Sequence, residues 1–170
     1  MILDYNFFKN TLNKYLLDQN TTTATIDLSQ DLKKRIVQVS SVDIDQKGDK
    51  ASRFPAIFTM LSDKSEEIAY ISNNNVDRYV TLGVRCTFVY NDNSDHARWN
   101  LNTMIRNFEG IIRNNISLND YRGDPDLPVQ YCQLMYMIPT TVNFKNSEGY
   151  DSHVNQSADL NLLCKFQVTV

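Results

Sequence analysis

Residues 78–115 read RYVTLGVRCTFVYNDNSDHARWNLNTMIRNFEGIIRNN, and this stretch decides the fold. Its first part places an apolar, aromatic or cysteine side chain at every second position. A period of two is typical of an antiparallel strand with one buried face. We therefore predict a long strand over Arg78 to Tyr90, whose inward side chains are Val80, Leu82, Val84, Cys86, Phe88 and Tyr90.

The second part of this stretch changes its period from two to that of a helix. Asn91 to Asp95 supplies turn residues, with Ser94 as the expected N-cap and Asp95 in the first turn. A helix is then predicted from about Asp95 to Asn114. At ~100° per residue its apolar side chains share an arc of roughly 120°: Ala97, Leu101, Met104, Ile105, Phe108, Ile111 and Ile112.

Shorter signals on both sides of this stretch complete the element order. Asp4 to Gln19 predicts an amphipathic helix capped by Asp4, with a stripe of Tyr5, Phe8, Leu12, Tyr15 and Leu16. Before residue 78 we expect two short strands, or one strand with a bulge, in Arg35–Asp45. A hairpin of Phe54–Leu61 and Glu67–Ser72 that turns at 62–65 is expected to follow. After the second helix we expect a strand Tyr131–Ile138 stopped by Pro139, a short strand Thr140–Phe144, a polar loop Lys145–Gln156 and a closing strand Ala158–Val170.

This order predicts the α+β class: a mostly antiparallel sheet with two main amphipathic helices packed on its apolar face. The chain has 170 residues, a length typical of one domain, so we expect residues 1–170 to form a single domain.

The charge and cysteine content exclude some classes of protein. The 17 basic and 20 acidic residues give a net charge of −3, whereas proteins that grip nucleic-acid phosphates usually carry a basic excess. Cys86, Cys132 and Cys164 lie in apolar alternations without a CxxC pair, which favours buried thiols in a reducing compartment. We expect no membrane span and no signal peptide.

The sequence does not show a pattern of catalytic or ligand-binding residues. The two histidines, His96 and His153, lie far apart and lack the spacing of a helix-borne metal site. Five glycines in the chain form no phosphate-binding motif. We therefore predict that the protein is not an enzyme and has no catalytic, metal or cofactor site.

Trp99, Arg106 and Arg113 form the surface feature that most needs an explanation. Their spacing of seven places them on one side of the second helix, opposite its apolar stripe, and the flanking Thr103 and Gly110 are expected to leave room for close approach. Tryptophan and arginine are enriched at interface hot spots, so we predict that the three residues contact another subunit. Two alternatives stay open: a loop of the same chain covers the tryptophan, or the two arginines meet nucleic acid.

The layout resembles that of the tail terminator, or tail completion, proteins of long-tailed bacteriophages. The resemblance is carried by the N-terminal helix (Asp4–Gln19), by Phe54-Pro55-Ala56-Ile57 entering a hairpin, and by a long strand that feeds an Asn/Asp turn (Tyr90–Asp95) and a second amphipathic helix. Closing strands end the chain. The match covers most of the chain and concerns the order of elements rather than a motif. Long loops at 46–53, 116–129 and 145–156 depart from the smaller members of that family.

The resemblance implies a structural virion protein that assembles into a ring, usually a hexamer. Such a ring caps the tail tube and connects it to the neck, with tube and neck proteins, and in some tails the sheath, as its partners. DNA would pass through the ring without sequence-specific binding, and the protein would be made in the host cytoplasm and end in the virion tail. The alternatives are another neck or baseplate component and, from a different class, a small-molecule-binding or enzymatic α+β domain.

Overall fold

The computed structural model describes residues 4–41, 54–71, 76–118, 132–146, 148–150 and 153–169. These residues form two helices, α1 (Tyr5–Asp18) and α2 (Ser94–Asn114). They also form six strands: β1 (Gln38–Ser40), β2 (Ala56–Ile71), β3 (Val76–Asp92), β4 (Cys132–Phe144), β5 (Glu148–Tyr150) and β6 (His153–Thr169). The expected strands in residues 42–45, and most of the loops expected at 46–53 and 116–129, fall outside the described residues.

The six strands form one sheet in the order β1-β2-β3-β6-β4, with β5 paired to β6 next to the end of β4. The short β1 runs parallel to β2, and every other pairing is antiparallel. Together with the two helices this sheet confirms the predicted α+β class.

The long strand and the second helix confirm the main prediction from residues 78–115. All six inward side chains of β3 are buried, and so are all seven side chains of the α2 stripe. Phe88 of β3 meets Phe108 of α2 edge to face, with their ring centroids 5.1 Å apart. The side chains of both elements belong to one hydrophobic core, so α2 packs on the apolar face of the sheet.

Helix α1 packs on the same face of the sheet. Its predicted cap is confirmed, because the carboxylate of Asp4 accepts a hydrogen bond from the backbone N–H of Phe7 at 2.9 Å. Phe8 contacts Phe166 of β6 edge to face at 4.8 Å between centroids. The buried hydroxyl of Tyr15 donates to the carbonyl oxygen of Ile111 at 3.0 Å and thereby links α1 to α2.

The hairpin predicted around residues 62–65 is wrong. β2 runs without a turn from Ala56 to Ile71, and the polar residues lie in the middle of the strand. A register shift between Leu61 and Asp63 accommodates them as a bulge. The backbone hydrogen bonds to β3 outweigh the turn preference of Ser and Asp, because those side chains remain exposed in the extended strand.

Pro139 does not end the strand that contains it. β4 continues through Pro139 to Phe144 as one strand, with a register shift between Pro139 and Val142. Proline has no backbone N–H to donate to a neighbouring strand. It is therefore tolerated at sheet edges and at bulges, where that hydrogen bond is not needed. In the described sheet β4 occupies the edge position, which explains why the prediction of two separate strands fails.

Two further boundaries differ from the predictions. The stretch expected to be a polar loop, 145–156, contains β5 and the first residues of β6, which pair with each other from Tyr150 and His153 outward. The N-cap of α2 is Asn93 rather than Ser94, because the Asn93 side chain accepts the N–H of His96 at 3.3 Å. Both residue types cap helices well, so their order in the sequence could not distinguish them.

Candidate interaction surface on the second helix

A segment of the chain's own backbone covers one flank of α2. We call residues 19–37, between α1 and β1, the strap. The buried side-chain amide of Asn107 donates to the carbonyl oxygens of Leu28 at 3.2 Å and Gln30 at 2.8 Å. About two turns earlier, the Asn100 side chain accepts the backbone N–H of Lys33 at 3.0 Å. The strap therefore lies along α2 and is tied to it at both points.

The strap also occupies the space beside the predicted interface residues. Thr103 is buried and donates its hydroxyl to the carbonyl oxygen of Trp99 at 3.1 Å. A methyl group added at Gly110 would lie 3.3 Å from Cδ1 of Ile26. Thr103 and Gly110 thus do not leave room for a neighbouring subunit, because the chain itself fills that flank.

One ion pair closes the strap on itself. The guanidinium of Arg35 donates to both carboxylate oxygens of Asp27, each at 2.9 Å, and the backbone N–H of Ser29 donates to the same carboxylate at 3.0 Å. Burial by itself would raise the pKa of Asp27. The hydrogen bonds from Arg35 and Ser29 outweigh burial, so the pKa of Asp27 is lowered and the carboxylate stays charged.

A second set of contacts ties the strap to the end of β3. The ammonium of Lys33 lies 3.1 Å from the buried carboxylate of Asp92. The backbone N–H of Asn93 and the Lys33 side chain lower the pKa of Asp92. Next to it, the hydroxyl oxygen of buried Tyr90 accepts the backbone N–H of Lys34 at 3.1 Å. The strap thereby covers the junction between β3 and α2.

Trp99, Arg106 and Arg113 lie on the side of α2 that the strap leaves open, and the structure exposes all three. We call them the α2 patch. Trp99 is 73% exposed. Both arginine side chains are largely exposed and pair within the chain, Arg106 with Asp31 of the strap at 3.2 Å and Arg113 with Glu109 at 3.5 Å. Seven residues of helix span about 10.5 Å, so the patch is a row rather than a cluster.

One contact next to this patch escaped the sequence analysis. The guanidinium of Arg98 lies over the ring of Phe144, 5.9 Å from its centroid, and Phe144 is half-exposed at the end of β4. Arg98 precedes Trp99 in the chain, so this pair extends the exposed aromatic surface toward the sheet edge. No local pattern could predict it, because it depends on how β4 pairs with β6.

A second exposed apolar surface lies at the far end of the sheet. Ile68 and Ile71 of β2 and Val76 of β3 are 68%, 64% and 37% exposed. We call them the hairpin tip. Ile68 is paired with Arg78, and Ile71 with Val76, which places all three on the face of the sheet that the helices cover elsewhere. This surface was not predicted, because the expected turn at 62–65 lies where β2 continues as a strand.

The opposite face of the sheet carries a shallow groove of about 340 Å³, lined mainly by polar residues of β2, β3, β4 and β6. The bulge in β2 brings Ser62 and Asp63 over Gly83 so closely that a methyl group there would collide with the Asp63 carboxylate. The groove is open to solvent. None of the residues that line the groove points a buried polar group at a ligand.

Among the described residues, His, Cys, Asp and Glu form no cluster able to hold a metal ion. Cys86 and Cys164 are buried, and burial raises the pKa of both thiols, which leaves them protonated and unreactive. None of the described helices has the length and apolar character needed to cross a bilayer.

Comparison with known proteins adds one finding. The sequence matches no protein-family model and no curated protein.

Proposed function

We propose that this chain is a structural protein of a long-tailed bacteriophage, a tail terminator or completion protein that forms a ring between the tail tube and the neck. The proposal starts from the resemblance in element order: an N-terminal helix, a long strand that feeds a second amphipathic helix, and closing strands. Its mechanism is assembly. The ring binds the last layer of the tube, stops further polymerisation and presents a surface to the neck.

The observation that carries the proposal is the exposure of Trp99 in the single chain. The strap covers the neighbouring flank of α2, yet it stops short of this indole. A large aromatic side chain on an ordered helix is a frequent anchor of a protein–protein contact. The arginines of the patch fit the same role, because each arginine is itself largely exposed in its ion pair, and exchanging such a pair for a neighbour's carboxylate costs little.

Removal of the indole tests the proposal. Trp99→Ala should leave the chain folded, because the side chain packs on little of its own chain. If Trp99 is an interface hot spot worth about 2 kcal/mol, its loss weakens the contact between subunits about 30-fold. Sedimentation velocity measures the assembly, far-UV circular dichroism measures the fold, and negative-stain images of the parent protein should show rings with a central opening.

The control is Asn10→Ala, an exposed position on α1. It should keep both the fold and the ring. Compact monomers of 19.6 kDa in the images of the parent protein would contradict the ring function. Rings that survive Trp99→Ala unchanged would leave the function standing and remove Trp99, Arg106 and Arg113 as the subunit contact.

A further inference from the structure

The described sheet leaves a long edge of β2 without a neighbouring strand. β1 pairs with β2 only from Ala56 to Phe58. Beyond that point, residues 59–71 of β2 have β3 on one side and no described strand on the other. Such an edge offers backbone N–H and C=O groups to any other extended chain, and long edges of this kind promote aggregation unless something blocks them.

Two charged side chains of this edge lie on the face of the sheet that the helices cover. Lys64 is paired with Leu82 of β3, which is buried in the core. Glu66 is paired with Val80, which is also buried there. A strand that continued this core would carry apolar residues at both positions. Lys64 and Glu66 instead stay exposed and form an ion pair, and the Lys64 ammonium lies 5.4 Å from the centroid of the Tyr5 ring.

The other face of the same segment is polar as well. Every side chain from Ser62 to Ile68 is exposed, and Asp63, Ser65 and Glu67 lie on the face away from the helices. Register shifts at 61–63 and at 68–70 bracket the segment. Because bulges bend and twist a strand, the regular part of the free edge is short, and charged side chains stand on both of its faces.

We propose that the charged segment 62–67 keeps the β2 edge of one copy from pairing with a strand of another copy. A strand added to this edge would lie beside Lys64 and Glu66 and remove water from them, and charges that lose water without matched partners cost free energy. The segment carries three acidic residues and one basic residue. Two β2 edges that met would therefore also bring like charges together.

The opposite edge of the described sheet is interrupted by other means. β4 contains no charged residue in its 13 positions. It contains Pro139, which has no N–H for a further strand, and register shifts at 134–136 and at 139–142 bend it. β2 contains no proline. Charge is therefore the feature that the β2 edge adds to its bulges.

Removal of the two charges on the core-side face tests the proposal. The double variant Lys64→Thr/Glu66→Thr loses one positive and one negative charge, so the net charge stays at −3, and threonine is a good strand former. We expect the variant to fold and then to associate through the edge. Thioflavin T fluorescence should rise several-fold above that of the parent at equal concentration, and the fraction left in solution after centrifugation should fall as the concentration rises.

A second variant and two controls separate edge charge from other effects. Lys64→Gln/Glu66→Gln removes the charges but keeps long side chains, and it should associate too. Lys64→Glu/Glu66→Lys exchanges the charges, keeps both on the edge and should stay as soluble as the parent. Lys14→Thr/Asp18→Thr removes the same charges from exposed positions on α1 and should also stay soluble. Far-UV circular dichroism and urea unfolding check that each variant is folded.

The remaining outcomes overturn the inference. If folded Lys64→Thr/Glu66→Thr and Lys64→Gln/Glu66→Gln stay as soluble as the parent, edge charge is not what keeps the copies apart. The same holds if the exchanged pair or the α1 control associates as strongly as they do. Association without thioflavin T binding would mean that the copies meet through another surface. A ring built through the α2 patch needs no free edge, so these results leave the test with Trp99→Ala independent.

Discussion

The two ends of β3 lie on one continuous strand but in opposite environments. From Phe88 to Tyr90 every side chain is buried, because α2 and the strap cover one face and a small cluster with Ala56 and Phe58 fills the other. At the opposite end, Val76 is exposed although it continues the inward row. Alternation therefore predicts which face of a strand turns inward, whereas the elements packed on it decide how far along the strand that face is covered.

The largest expected loss of stability comes from a substitution at the covered end of β3. Phe108→Ala removes a fully buried ring from its edge-to-face contact with Phe88. We expect a loss of about 3–5 kcal/mol in the free energy of unfolding, because a cavity remains where the ring was. Urea unfolding followed by circular dichroism measures this.

Ile68→Ala is the matched truncation at the open end. It should change the free energy of unfolding by no more than about 0.5 kcal/mol, because the side chain is already largely exposed. If Phe108→Ala and Ile68→Ala lose equal amounts of the free energy of unfolding, the two ends of the sheet are not packed as differently as their burial indicates.

An intermediate effect is expected where the strap joins α2. Asn107→Ala leaves the carbonyl oxygens of Leu28 and Gln30 without their donor, and we expect a loss of about 1–3 kcal/mol. Hydrogen exchange should also speed up at the backbone N–H of Lys33, which bonds to Asn100 on the same flank. Asn102→Ala on the exposed side of α2 is the control. Unchanged exchange in Asn107→Ala would mean that the strap does not depend on this amide.

The smallest expected effect is a loss of stability in acid, when the two carboxylates that hold the strap become protonated. The folded pKa values of Asp27 and Asp92 lie below the unfolded value of about 3.9. Their contribution to stability is therefore complete above that value and disappears as the pH falls through the folded pKa. Asp27→Asn and Asp92→Asn should each be less stable than the parent at neutral pH, and these differences should shrink in acid.

Unfolding by urea at several pH values measures this dependence. Asp31→Asn is the control, because its carboxylate and its partner Arg106 are both largely exposed, and such pairs contribute little. If the difference between Asp92→Asn and the parent stays constant from neutral pH to acid, the Lys33–Asp92 pair is not what ties the strap to β3.

Much of the fold was predictable because the signals are local. The buried stripe of α2, the cap at Asp4 and the inward row of β3 each follow from spacing within one element. The candidate surface was predictable in part. Trp99 lies opposite the stripe of its own helix, so its direction follows from helical geometry. Local patterns do not predict that the strap leaves Trp99 uncovered or that Arg98 pairs with Phe144, because both depend on distant parts of the chain.

The sequence by itself determined which residues turn inward and which class of fold they build, because periodicity and capping act over a few residues. Tertiary structure decided where strands continue and which surfaces remain bare. Ser62 and Asp63 stay in a strand because β3 pairs with them, and Pro139 is tolerated because β4 lies at the described sheet's edge. Ile71 is exposed because neither α1 nor α2 covers that end of β2, and how the helices pack on the sheet depends on residues that lie far apart in the sequence.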